Sequence, residues 1–186
     1  MKNQNHFALV IIFTVGMIAA CRSSYQPRTV PDTDPPTVTV KFAGGGFGDQ
    51  YTIHANVLTP SSTNPTIIHA LTPGTVYHVS VIATDNIAVA NLTVNLNKNY
   101  FEISNINASP GTYISGSNSS QTYAQVNLPL RPGTTGTILN FDFKAIAMPH
   151  GDPALCWFNV VAMDWGQAGS SNNISQANIL LPYQPE

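Results

Sequence analysis

Charge is what this sequence has least of. Lys, Arg, Asp and Glu make up 9% of its 186 residues, against about 25% in an average soluble domain. Seven basic and nine acidic side chains stand singly along the chain and leave a net charge of −2. No basic patch exists to collect phosphates, so nucleic acid is not an expected partner. Sparse charge also removes the self-repulsion that keeps chains disordered, and 43% hydrophobic residues are ample for a core. Long apolar runs are missing too: the block from Phe7 to Ala20 has 14 residues, short of the roughly 20 that span a bilayer. Beyond it, no amphipathic run is long enough for a stable helix. Cysteine is nearly absent, with Cys21 and Cys156 alone.

What is there is alternation. In Val76–Leu96 (VYHVSVIATDNIAVANLTVNL), Tyr77, Val79, Val81 and Ala83 alternate with Val76, His78, Ser80 and Ile82. The run halts at Asp85-Asn86 and resumes through Val89, Leu92, Val94 and Leu96. That is two strands and a turn. Further strands are expected at 37–42, 49–58, 66–71, 100–106, 121–130, 137–148, 154–163 and 174–181. Gly-, Pro- and Asn-rich breaks separate them at 43–46, 59–65, 72–75, 107–120, 131–136, 149–153 and 164–173. Many short strands between such turns predict an all-β sandwich or barrel.

The amino terminus has one early cation, Lys2, then the apolar block, then Ile18-Ala19-Ala20-Cys21. A basic start, a short apolar middle and small residues before the cut describe a secretory signal. Ile-Ala-Ala-Cys resembles the lipobox of bacterial lipoproteins. The resemblance implies cleavage after Ala20, a diacylglycerol on the Cys21 thiol and acylation of the new amine. Each buried acyl methylene contributes about 0.8 kcal/mol, and two or more chains anchor stably. Arg22, rather than Asp, follows the lipidated Cys, which by resemblance to the sorting rule of Gram-negative lipoproteins points to the outer membrane. With Cys21 lipidated, Cys156 has no disulfide partner, and its setting, Leu155-Cys156-Trp157-Phe158, reads as a small core hydrophobe. Arg22 to Pro36 carries Pro27, Pro31, Pro35 and Pro36 and reads as an extended tether.

Three segments, 35–40 (PPTVTV), 83–89 (ATDNIAV) and 160–169 (VVAMDWGQAG), resemble the opening, first turn and closing turn of bacterial immunoglobulin-like domains. Leu71-Thr72-Pro73-Gly74-Thr75-Val76-Tyr77 is similar to the tyrosine-corner approach of fibronectin type III modules, where a backbone group satisfies the Tyr hydroxyl. The implied fold is an immunoglobulin-like antiparallel β-sandwich. The expected organisation is a signal over 1–20, a tether over 21–36 and one sandwich over 37–186. The long gap over 43–75 implies that the sandwich is enlarged; two small modules, about 37–97 and 98–186, are the alternative. Some bacterial surface relatives form a Lys-Asn amide across the sandwich with a buried acid as catalyst, and Lys41, Asn178 and Asp142 would be such a set here.

Sites are harder to read. His54, His69 and His78 show no ligand spacing. His150 and Asp152 share one loop, yet neither Ser119-Ser120 nor Ser170-Ser171 has the Gly-x-Ser-x-Gly setting of a hydrolase nucleophile. Asp85, Asn86 and Asp164 are oxygen donors that suit calcium, but no charged cluster is visible around them. No catalytic residue, cofactor or metal is assigned. The expected function is non-enzymatic: a lipid-anchored envelope protein whose sandwich binds protein, adheres or acts as a spacer, or alternatively binds carbohydrate. Contact is expected from loops at 107–120, 149–153 and 164–173, with Tyr113, Tyr123, His150, Asp152 and Trp165 as binding candidates, because aromatic side chains dominate interface energetics.

Overall fold

A computed structural model describes residues 32–46, 48–60, 70–128, 134–146, 155–166 and 172–182. Among them the strands are β1 (Thr37–Ala43), β2 (Gln50–His54), β3 (Val57–Pro60), β4 (Val76–Thr84), β5 (Val89–Asn97), β6 (Phe101–Ser109), β7 (Thr112–Ser117), β8 (Gln121–Asn127), β9 (Gly136–Ala145), β10 (Leu155–Asp164) and β11 (Ile174–Pro182). No described residue is helical. The first sheet runs β3-β2-β1-β4-β9-β6 and the second β11-β10-β5-β8-β7, with every pairing antiparallel.

Two hairpins, β2-β3 and β7-β8, are additions to a simpler frame. Without them the orders are β1-β4-β9-β6 and β11-β10-β5, which match the A-B-E-D and G-F-C sheets of a constant-type immunoglobulin domain strand for strand. The molecule is an immunoglobulin-like antiparallel β-sandwich, enlarged by those hairpins. Strands from both halves of the sequence interleave in both sheets, so no seam falls near residue 97.

Alternation dictates the layers. Tyr77, Val79, Val81 and Ala83 of β4 face inward with Val38, Val40 and Phe42 of β1 and Leu139, Phe141, Phe143 and Ala145 of β9. Leu92, Val94 and Leu96 of β5, Phe158, Val160 and Ala162 of β10, and Ile179 and Leu181 of β11 close the core from the second sheet. Phe158 joins the layers: its ring meets Phe42 edge-on at 5.1 Å and stacks on Phe141 at 6.1 Å. Aromatic pairs at these separations contribute about 0.5–1.5 kcal/mol beyond their buried area.

Three local expectations need correction. The run 49–58, read as one strand, is the β2-β3 hairpin, because Ala55 (φ 47°) and Asn56 (φ 66°) both turn left-handed, as a type I′ turn requires. The polar stretch 107–120, read as a loop, carries the end of β6 and all of β7. Its Ser and Asn side chains face solvent, so it lacks the apolar half of the alternation that marks a strand. Asp32–Pro36, read as the end of the tether, lies on the sandwich with Asp32 and Pro36 buried. Ser175 holds it there: its hydroxyl donates to the Pro36 carbonyl and accepts the Ala55 N–H at 3.0 Å. The strand expected over 66–71 falls mostly outside the described residues.

Tyr77 fulfils the corner expectation. It is fully buried, stacks on Phe143 at 5.1 Å, and its hydroxyl accepts the Thr72 N–H at 2.8 Å. Gly45 (φ 57°) passes so close that a Cβ there would lie 2.5 Å from the Tyr77 ring. Tyr77→Phe should cost about 1 kcal/mol and lower Tm by about 2–4 °C in scanning calorimetry. An unchanged Tm would show that the hydroxyl contributes nothing.

Candidate functional site

One end of the sandwich gathers three chain segments. They are the lead-in to β1, the turn where β4 leaves the first sheet for β5 in the second, and the β10–β11 connection. Each supplies an aspartate. One carboxylate oxygen from each of Asp32, Asp85 and Asp164 lies within 4.8 Å of the other two. Asp164 is fully buried, Asp32 is 5% exposed, and Asp85 is half-buried.

Local backbone geometry explains why these residues are aspartates. Asp85 Oδ1 accepts the Ile87 and Ala88 N–H groups, both at 2.8 Å, and so caps the crossing turn. Asp164 Oδ1 accepts Gly166 N–H at 2.9 Å and Asn173 N–H at 2.7 Å, while Asp164 Oδ2 accepts the Asn173 amide at 2.7 Å. That amide also donates to the Asp32 carbonyl at 3.0 Å, which ties the lead-in to the closing connection. Asp32 Oδ1 takes a 3.3 Å bond from Asp34 N–H, whereas Asp32 Oδ2 is buried and has no donor among the described residues. Burial pushes the Asp85 carboxyl above the usual range, the two turn amides pull it back, and the charges of Asp32 and Asp164 push it further up.

The sequence pointed to Asp85 and Asp164 but showed no charged cluster. Asp32 completes one, reached only because the lead-in folds back on the sandwich. Asn86, the third donor expected from the sequence, is exposed and lines the same open cleft as Asp85.

The aromatic candidates are not brought together. Trp165 is half-buried beside Asp164; its backbone N–H donates to the Ala88 carbonyl at 3.1 Å, while its indole nitrogen is buried with no acceptor among the described residues. Tyr113 is exposed on β7, at the edge of the second sheet. Tyr123 is half-buried on β8, its hydroxyl lying over Gly116, where a Cβ would come within 2.8 Å. Cys21, His150 and Asp152 lie outside the described residues.

A surface that sequence reading missed is the outer face of the second sheet. Register places Ile174, Met163, Asn91, Asn127 and Thr112 in one row. Gln176, Val161, Thr93, Gln125 and Ile114 form the next, and Asn178, Asn159, Asn95, Tyr123 and Gly116 a third. None is charged. Side-chain amides bond along the rows, Asn159 to Asn178 at 2.8 Å, Asn95 to Asn159 at 3.1 Å and Asn91 to Asn127 at 2.8 Å. Ile114, Ile174 and Leu180 are exposed there. The signal was the Asn and Thr repeated at alternate positions of β5.

The first sheet presents the charge instead, with Lys41, Glu102 and Lys144 exposed. Lys41 and Asn178 are exposed on different sheets, and Asn178 bonds Asn159, so the crosslinking set implied by resemblance is not assembled. Asp142, the acid of that set, faces outward from β9 and bonds His78 and, at 2.7 Å, Asn105. A bulge in β6 with Asn105 at φ 51° aims that amide at it.

No protein-family model matches the chain, and no curated protein matches it. Among solved structures it is similar to a cohesin module from a family 33 glycoside hydrolase of Clostridium perfringens, with 8% identity and TM-score 0.43 over 63% of this chain and 91% of the other. It is also similar to BcpA, the major pilin subunit of Bacillus cereus, with 7% identity and TM-score 0.43 over 81% of this chain and 65% of the pilin. A third is AvmM, which catalyses macrocyclization in alchivemycin A biosynthesis, with 10% identity and TM-score 0.36 over 64% of this chain and 87% of the other.

The Asn105 bond, set against a smaller opposing effect of burial and joined by His78, holds the Asp142 carboxyl below its ordinary value. A depressed folded value stabilises the fold above the unfolded pKa and loses that contribution as pH falls through the folded one. Asp142→Asn should therefore cost up to about 1 kcal/mol at pH 7, as surface pairs do, and nothing once wild-type Asp142 is protonated. Thermal melts of both proteins from pH 7 down to pH 2 check this; a gap that stays constant would remove Asp142 as its source.

Proposed function

We propose that this chain is a bacterial envelope lipoprotein, anchored through Cys21, whose immunoglobulin-like sandwich is a non-enzymatic module that binds a neutral partner through the outer face of its second sheet. The charge asymmetry carries the reading. The five strands of the second sheet hold one charged side chain, Asp164, at the buried end of β10. Desolvating a charge is expensive, so interface centres are depleted in charge and enriched in aromatics. Amides, hydroxyls and a few exposed aliphatics form the kind of surface that can be covered at low cost. The lipobox before Cys21 supports the anchor, and the Arg22–Pro31 segment would hold the module off the membrane.

A neutral polysaccharide is a second reading, supported by the Asn178-Asn159-Asn95 row. Its amides offer both donors and acceptors to sugar hydroxyls, and Tyr123 stands in the same row as a stacking platform.

Two measurements test these claims. Radiolabelled palmitate should appear on the wild-type protein and not on Cys21→Ser, which should move from the membrane to the soluble fraction; labelling of neither would overturn the anchor. Retention on envelope fragments should drop tenfold or more when Thr93→Lys and Gln125→Lys place two charges on the face. Asn140→Lys, on the first sheet, should leave retention unchanged. Equal losses from both surfaces would sink the face. Protease treatment of the fragments separates protein from polysaccharide.

A further inference from the structure

We infer that Asp32, Asp85 and Asp164 bind one calcium ion, which clamps the lead-in segment to the end of the sandwich. This goes beyond the anchor and the binding face and depends on neither.

Three carboxylates converge where the described residues bring no lysine or arginine. The ion pair among those residues is His78 with Asp142, on another surface. The hydrogen bonds are divided in a telling way. In Asp85 and Asp32 one oxygen is engaged by backbone N–H groups, which fixes the side chain. Asp85 Oδ2 takes no donor among the described residues, and Asp32 Oδ2 is buried on a residue only 5% exposed. A buried carboxylate oxygen without a donor is costly. It belongs to the carboxylate that lies within 4.8 Å of the other two, where a cation would satisfy it.

The donor chemistry selects the ion. The cluster offers oxygen alone, without nitrogen or sulfur, which suits a hard cation. Calcium takes oxygen ligands at about 2.3–2.6 Å, so two ligands on opposite sides stand about 4.6–5.2 Å apart. Oxygens within 4.8 Å of one another can share it. Magnesium needs a tighter octahedron and keeps most of its water. An open cleft whose lining includes Thr84, Asp85 and Asn86 brings solvent to Asp85, one of the three ligands.

The three ligands come from three separate chain segments whose flanks are paired, Thr37 with Thr84 and Asp164 with Val89, so the ladders bring the three carboxylates to one place. The lead-in makes no ladder contact and is held by the Asn173 amide and the Ser175 hydroxyl. An ion shared by Asp32, Asp85 and Asp164 would fix it to both sheets at once.

The test uses the full chain purified in detergent and stripped with a chelator. Calorimetric titration with calcium chloride should show one ion per chain, with Kd in the range of about 10⁻⁴–10⁻³ M found for extracellular modules. Tm should rise by about 5–10 °C at a hundredfold excess over Kd. Asp32→Asn should weaken binding at least tenfold, while Asp34→Asn, which keeps all three ligands, should not. Terbium provides a readout that needs no variant to fold: Trp165, next to Asp164, should sensitise its luminescence in the wild-type chain, and calcium should quench it by displacement. No heat and no Tm shift up to 10 mM calcium, on the order of tenfold above the weakest Kd expected, would overturn the inference. So would unchanged binding by a folded Asp32→Asn, tighter binding of magnesium than of calcium, or terbium luminescence that calcium fails to quench.

Discussion

The structure depends on a turn that refuses to be a hairpin. β4 and β5 are consecutive, of equal length and both apolar on alternate positions, and a tight reversal would have paired them edge to edge. Asp85 prevents this by accepting two successive backbone N–H groups, from Ile87 and Ala88. The chain then leaves the first sheet and enters the second, with Asp85 N–H tied to the Thr135 carbonyl and Val89 N–H to that of Thr134. Once β4 and β5 face each other across a core, β9 and β1 can flank one while β10 and β8 flank the other. Asp164 holds the mirrored position at the end of β10. The same chemistry at both bends is what leaves two carboxylates at one end of the molecule.

Alternation with apolar residues on one face made most strands legible, because a sandwich is stabilised chiefly by burying every second side chain, and that leaves a period of two in the sequence. The misreadings share one cause. β7 and the end of β6 are exposed on both faces or nearly so, hence they carry no apolar period and are held by ladder hydrogen bonds that any residue can make. The β2-β3 turn used Ala55 where Asn or Gly would have marked it. The site was half legible. Asp85 and Asp164 stand out as turn caps, whereas Asp32 sits among prolines in what reads as a tether, and only the bonds from Asn173 and Ser175 reveal that the segment belongs to the domain.

The two sheets answer different demands with the same backbone. On the first, Glu102 lies directly opposite Lys144 and His78 directly opposite Asp142, so its surface is solvated by charge and its pairs stay in water. The second is solvated by amides bonded mainly to each other, with Gln125 also bonding Asn127 and Thr93 bonding Asn91. A chain with so few charges has placed nearly all of those on its strands on one side. Folding does not require that, since Asn, Thr and Lys are equally able to face water. The asymmetry is a property of the surface and bears on what the surface meets.

The lead-in poses the opposite problem. Pro35 and Pro36 have no N–H to give to a ladder, and residues 32–36 make no strand pairing; the Asn173 and Ser175 side chains bond the Asp32 and Pro36 carbonyls instead. Hydrophobic cover could hold the segment too, but an apolar lead-in would be sticky whenever it came loose. Carboxylates avoid that hazard and introduce another, because three like charges within 4.8 Å repel when nothing neutralises them. Such a cluster is stable as a clamp when a cation is present and strained when it is not. With the calcium ion inferred above in place, the lead-in would be held to the sandwich by that ion, while the core packed around Phe158 does not depend on it.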